Sequence, residues 1–201
     1  MDERLTRAFF ERDAVTAARE LIGCRLVRVS PEGTTSAVIV ETEAYCGAED
    51  DAAHSYKGRT ERTRALFGEK GHAYIYLIYG MYCCLNISAG EEGRPECILI
   101  RAARPEGGAE LMKARRKTDR DKNLCSGPGK LCMAMGIDRT LYGEDMVSGD
   151  TLYILKGECV ETESSRRIGI DYAEKCRDKP WRFTAKNCPL VSKLPGGRNK
   201  R

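Results

Sequence analysis

The chain has 201 residues, 41% of them hydrophobic and 32% charged, with a formal net charge of +4 at pH 7. That composition belongs to a soluble globular chain of one domain or two small ones, and excludes disordered, collagen-like and membrane-embedded classes. No apolar run approaches the roughly 20 residues of a spanning helix, and the opening Met-Asp-Glu-Arg-Leu-Thr-Arg lacks a signal peptide's apolar core, so a cytoplasmic location is expected.

The first expected helix has Asp13 as N-cap, runs from Ala14 to Ile22 and stops at Gly23, with Val15, Ala18 and Leu21 or Ile22 as its buried stripe. Strands follow at Cys24–Ser30 and Thr35–Tyr45, joined by a Pro31-Glu32-Gly33 turn. Residues 47–54 read as a loop or short helix, and Thr60–Phe67 as a helix. A hairpin covers about Ala73–Ser88, Cys97–Ala103 is a buried strand, and Ala109–Arg116 is a helix. Lys117–Asn123 is a charged, mobile loop. Ser126-Gly127-Pro128-Gly129 then leads into a helix at Lys130–Met135, and late strands are expected at Thr151–Lys156 and Arg166–Asp171. The mixture lacks βαβ regularity. It implies one α+β domain over 1–193, with a largely antiparallel β-sheet core, surrounding helices and a protruding β-hairpin. A basic flexible tail is expected at 194–201.

A chain of this length can bury roughly 70% of its extended surface, so its core needs neither disulfide nor metal. The ten cysteines contain no Cys-x-x-Cys pair: Cys83 and Cys84 are adjacent, and Cys125 and Cys132 are seven apart. They read as small buried hydrophobes, and no metal or cofactor is expected.

The strand ending in Glu41-Thr42-Glu43-Ala44-Tyr45 carries the first chemical signal. Strict alternation puts Val38, Val40, Thr42 and Ala44 on a core face and Ile39, Glu41, Glu43 and Tyr45 on the other. A carboxylate at a strand end beside an aromatic ring suits a general base in a base-binding pocket; from this segment alone, two glutamates on a solvated face near a strand end are the simpler reading. Lys57, Arg59, Arg62 and Arg64 follow His54 closely, as phosphate contacts or as a solvated face.

The hairpin's tip is unusual. Tips are ordinarily polar, whereas Tyr79-Gly80-Met81 flanks its glycine with large apolar groups. Either another element buries the tip or it is a wedge that unstacks a duplex. Asn86 interrupts the second strand, and a buried amide without a partner costs about 1–3 kcal/mol, so it has a partner or a ligand to read. Arg101 interrupts the apolar strand Cys97–Ala103 and needs a carboxylate, Glu43 being the first candidate.

Together these strings resemble the alkyladenine (3-methyladenine) DNA glycosylases of animals and many bacteria. The match comprises Glu41–Tyr45, Glu49-Asp50 with Ala52-Ala53-His54-Ser55, Ile78–Tyr82, Asn86–Ser88, Leu99 with Arg101-Ala102, and Ser126–Leu131, in the family's order from about Leu5 to about Ser192. The stretch from Gly58 to Arg64 differs in length from the animal form. The resemblance implies that Glu43 activates a water and that Arg101 helps hold it. Tyr45, His54 and Tyr76 would contact the flipped base, with Ala53 beside them, and Asn86 would crowd the 2-amino group of guanine. Tyr79 would fill the gap in the helix with Met81 beside it. Arg59, Arg62 and Lys130 are candidate DNA-backbone contacts. The implied protein is a monomer without cofactor that acts on double-stranded DNA containing damaged purines: 3-methyladenine, 7-methylguanine, hypoxanthine or ethenoadenine.

With no lysine visibly placed to form a Schiff base with the sugar, a monofunctional glycosylase leaving an abasic site is expected, its Glu43 seated in a ring-walled chamber. The alternative is a non-catalytic nucleic-acid-binding module. A carbohydrate glycosidase using Glu41 and Glu43 does not fit, since carboxylates at i and i+2 on one strand cannot flank a sugar.

Overall fold

The computed structural model describes residues 3–192, so the expected tail at 194–201 lies outside the described residues. Two short helices lead in, α1 (Arg7–Phe10) and α2 (Ala14–Glu20). Asp13 caps α2 by accepting the Thr16 N–H at 2.9 Å, and the buried stripe is Ala14, Ala17 and Ala18, with Val15 only half-buried. The helix stops at Glu20, before the expected Ile22, because the chain must turn sharply. Gly23 has φ +95° and lies so close to the later chain that a Cβ there would sit 2.2 Å from the Glu158 carbonyl oxygen.

The strands are β1 (Arg25–Ser30), β2 (Gly33–Tyr45), β3 (Ala73–Ile78), β4 (Tyr82–Ala89), β5 (Glu96–Gly107), β6 (Leu152–Leu155), β7 (Thr162–Ser165) and β8 (Arg182–Ala185). They pair antiparallel in the order β3-β4-β5-β2-β1-β6, while β8 joins β2 and β7. The α+β class and the antiparallel sheet are therefore as the sequence implies. β2 is the spine: β5 runs along one flank, and the other is shared between β1 at its start and β8 at its end.

Alternation along β2 does not hold throughout. The ladder to β5 shifts register between Ile39 and Glu41 and again between Glu41 and Thr42. Ala37 and Ile39 lie in the main core, and so does Ala44, while Thr42 Oγ1 donates to the Ala18 carbonyl of α2 at 2.7 Å. The irregularity at Val40 moves the core-facing positions from odd to even numbers, so Ile39 does not share a face with Glu41, Glu43 and Tyr45.

The remaining helices are α3 (Ala109–Arg116), as expected, and α4 (Pro128–Met135), which begins two residues early because Pro128 is preset for the first helical position. The segment 60–67 is not the expected helix. Thr60 and Thr63 exchange side-chain and backbone hydrogen bonds that compete with helical ones, leaving one 3₁₀ turn at Arg64–Leu66. β5 runs four residues past Ala103, and Pro105 is tolerated because β4 pairs only with Glu96–Leu99, so that flank is open to a residue without an N–H. Arg166–Asp171 is a loop, not a strand: the pairing with β8 ends at Ser165, and Arg167 turns into the interior.

Candidate active site

A cleft of about 760 Å³ opens where the hairpin, the end of β2, the turns around residue 52, the start of α4 and the loop after β7 converge. Its size is that of a small-molecule pocket. Tyr45, His54, Tyr76, Asn86, Arg101 and Ile168 are among its lining residues.

Glu43 is fully shielded and lies just behind this wall rather than on it. Three wall groups hold its carboxylate: Oε1 accepts the Ile168 backbone N–H at 2.7 Å, and Oε2 accepts the Tyr45 hydroxyl at 3.0 Å and Arg101 Nη1 at 3.2 Å. The solvated-face reading of this strand is therefore excluded, and the expected chamber is corrected: the rings wall the cleft, and the carboxylate backs it. Burial pushes the Glu43 pKa up, opposed by Arg101, the Ile168 N–H and the Tyr45 hydroxyl. A carboxylate offers about four acceptor positions, and these three donors leave room for one more, such as a water.

Arg101 also donates from Nε to Glu41 at 3.0 Å. Glu41 further accepts Arg182 Nε at 2.8 Å, the Ser192 N–H at 2.5 Å and the Ser192 hydroxyl at 2.8 Å. Arg101 is thus aimed from behind by Glu41 while its other arm reaches Glu43.

The opposite wall is aromatic. The His54 ring meets Tyr76 edge-on with centroids 4.6 Å apart, and its Nδ1 lies 2.8 Å from the Tyr74 hydroxyl. Desolvation and the neighbouring Arg62 hold the His54 pKa down at about 4, so the ring is neutral near pH 7. Burial pushes the phenols of Tyr45 and Tyr76 up, so both stay protonated. Asn86 is buried and donates to the Tyr74 carbonyl at 3.1 Å and the Cys84 carbonyl at 3.4 Å, giving its amide the partners the sequence required.

The sequence profile of the methylpurine-DNA glycosylase family matches residues 8–189. The chain belongs to that family. A protein of Methanocella arvoryzae is 47% identical over 195 residues, covering 96% of this chain and 98% of its own length. One of Desulfitobacterium hafniense is 45% identical over 201 residues, covering 94% and 98%. One of Clostridium acetobutylicum is 48% identical over 202 residues, covering 95% and 98%. All three bear the name "Putative 3-methyladenine DNA glycosylase". The chain is accordingly a DNA repair glycosylase, a hydrolase of N-glycosyl bonds.

The glycosylase displays its hairpin tip openly, which excludes burial of that segment under another element. Tyr79 is 83% exposed and Met81 67%. Tyr79 and Gly80 have φ of +52° and +70°, and the Met81 N–H closes the turn onto the Ile78 carbonyl. A bulky residue in this left-handed region is strained.

Not every candidate lies where the sequence placed it. Ala53 is buried outside the cleft lining, its amide donating to the Asp50 carbonyl; Ala52 and His54 line the wall instead. Arg62 belongs to the cleft rim, with its guanidinium 5.1 Å from the Tyr76 ring centroid and Nη2 3.4 Å from His54 Nε2. Lys130 lines the cleft on the first turn of α4. Arg59 lies apart, beside a smaller cleft with Arg64 and Tyr142.

Sequence reasoning missed Ile168 and the residue before it. Arg167 is fully buried and pairs with Asp50 through Nη1–Oδ2 at 2.5 Å and Nη2–Oδ1 at 2.9 Å. The usable signal was Arg-Ile-Gly-Ile itself: Gly169 at φ +78° favours a loop over a strand. Of the ten cysteines, six are buried, three are half-buried and Cys159 is exposed, a partial match to the buried-hydrophobe reading. Among the described residues, Asp50, Asp51 and Cys176 cluster closely enough for a cation. The Asp50 carboxylate is engaged by Arg167, and that of Asp51 by the amides of Glu174, Lys175 and Cys176. No helix among the described residues is long and apolar enough to cross a membrane.

Proposed function

We propose that this glycosylase acts as a monomer on double-stranded DNA, flips damaged purines into the cleft and hydrolyses their N-glycosidic bond with a water activated by Glu43. The observation that carries this reading is a wholly buried carboxylate held by Tyr45, Arg101 and Ile168 at the back of an aromatic cleft, beside an exposed apolar tip.

A base in a duplex is out of reach, so the nucleotide must leave the stack, which costs a few kcal/mol. Tyr79 and Met81 occupy the vacated space. Tyr45, His54 and Tyr76 receive the base, and stacking of about 1–3 kcal/mol per base tolerates different ring shapes. Asn86 disfavours the 2-amino group of guanine. Lys130, Arg62 and Arg59 are assigned to the rim and the DNA backbone. The water oxygen attacks C1′ as the bond to the base nitrogen breaks, Glu43 takes the water's proton, and its charge steadies the oxocarbenium-like transition state. A base already cationic from alkylation departs neutral. Hypoxanthine and ethenoadenine require protonation, for which neutral His54 is a poor acid at pH 7, its imidazolium form being held down to about 4.

The reading is tested with duplexes carrying 7-methylguanine, 3-methyladenine, hypoxanthine or ethenoadenine, followed by alkaline strand scission. Release of at least one base is expected; release of none would leave the protein a binding module. No Schiff-base chemistry is assigned, so borohydride should trap no covalent adduct, and a trapped adduct would show a lyase step.

A further inference from the structure

We propose that the buried Asp50–Arg167 ion pair is a positioning device for the reaction, fixing at once the backbone N–H that holds Glu43 and the ring that closes the base-binding wall. This rests on the function proposed above for Glu43 and Tyr45.

The pair is placed for that role and poorly suited to be a mere staple. Both side chains are fully shielded. Removing two charges from water offsets most of what their attraction returns, so an apolar pair of similar volume would hold the loop about as well. What an apolar pair lacks is direction. Besides its two bonds to Asp50, Arg167 donates to the Ala44 carbonyl at 2.9 Å and the Cys176 carbonyl at 3.3 Å. Its guanidinium carbon lies 4.6 Å from the centroid of the Tyr45 ring and 5.0 Å from that of Trp181.

These contacts converge around one carboxylate. Ala44 and Tyr45 directly follow Glu43, and Ile168 directly follows Arg167. The Tyr45 hydroxyl and the Ile168 N–H are two of the three donors on Glu43. Asp50 is oriented in turn by the N–H groups of Cys46 and Ala52, both at 3.1 Å, so the pair also ties down the turn that carries Ala52 and His54 to the cleft. A lysine could supply charge here, but neither the two-pronged grip nor the flat stacking surface.

The experiment compares wild type with Arg167→Lys, Arg167→Met and the double variant Asp50→Leu/Arg167→Met. It measures single-turnover release of 7-methylguanine across pH, affinity for a duplex carrying a tetrahydrofuran abasic analogue, and melting temperature. Arg167→Lys should slow release by about 100-fold, the scale of a 1 Å misplacement of a reacting group, with affinity within about threefold of wild type. In Arg167→Met the acidic limb of the rate profile should move to higher pH. Glu43 then loses the positive charge and the ordered Ile168 N–H, while Arg101, Tyr45 and Glu41 still face it. The double variant, with no unpaired charge, should regain melting temperature but not rate. A double variant with wild-type rate and acidic limb would make the pair structural only and overturn the proposal. So would full speed in Arg167→Lys, which decides the matter should the other variants melt below the assay temperature. Should wild type spare 7-methylguanine, a lesion it does release takes its place in the assay; a wild type inactive on all four lesions would instead remove the function on which the proposal rests.

Discussion

Glu41 and Glu43 stand two residues apart on β2 and share one guanidinium, Arg101 taking Glu41 with Nε and Glu43 with Nη1. Their surroundings divide the labour. Glu41 anchors Arg101, Arg182 and Ser192 together, while Glu43 faces the cleft wall. Glu41→Gln withdraws the charge from a shared buried acceptor and should destabilise the fold by about 3–5 kcal/mol, as broken buried pairs do. Urea denaturation checks this; a loss under about 1 kcal/mol would deny Glu41 its anchoring role.

Glu43→Gln should behave oppositely. The folded-state pKa of Glu43 is raised, so its contribution to stability is greatest below the unfolded value and is lost as pH rises through the folded one. The amide removes the charge that burial penalises, so the variant should melt no lower than wild type. Base release should fall by about 10²–10⁴, the usual worth of a general base, with damaged-duplex binding retained. A thermal melt beside a single-turnover assay reads both quantities.

The same raised pKa fixes the shape of the pH profile. Glu43 accepts a proton only when ionised, so activity should rise with pH through one limb lying above the ordinary carboxylate range. His54, held down at about 4, adds no limb between pH 5.5 and 8. Single-turnover rates measured across the limb, for wild type and His54→Gln, should therefore place it at the same pH; displacement of the limb in the variant would give His54 a titrating role.

Much of this architecture was legible in the chain, and the failures have physical causes. The hairpin, α3 and the start of α2 follow from local periodicity and capping. The break at Val40 did not, because a register shift in β2 depends on its neighbour β5 and leaves the composition of the strand unchanged. The helix expected over 60–67 was lost to two threonine hydroxyls, a competition that apolar spacing does not report. Arg101 and Asn86 announced themselves as polar residues in apolar strands. Arg167 did not, since its partner Asp50 lies 117 positions away and each looks like an ordinary loop charge alone.

Where α4 meets the hairpin, Gly129 leaves no room for a side chain: a Cβ there would lie 2.9 Å from Tyr82 Cβ and 3.2 Å from its Cγ. Tyr82 begins β4 directly after the exposed tip. Gly129→Ala should therefore displace the hairpin and weaken damaged-duplex binding more than it lowers stability. Equilibrium binding to the tetrahydrofuran duplex, set beside a denaturation curve, separates the two, and unchanged affinity would mean that the contact does not place the tip for binding.

Tyr79 offers the sharpest trade between stability and activity. Holding a bulky residue at φ +52° costs about 1–2 kcal/mol, and asparagine adopts that conformation more readily. With its side chain 83% exposed, Tyr79 forfeits little packing on replacement. Tyr79→Asn should thus raise stability by about 1 kcal/mol while slowing base release by about 10-fold or more, since the stacking proposed for it in the opened duplex is worth about 1–3 kcal/mol. Parallel denaturation and single-turnover measurements test both signs. A variant that is stabilised yet fully active would show that the tip does no work on DNA, and the strain at its apex would then lack a function.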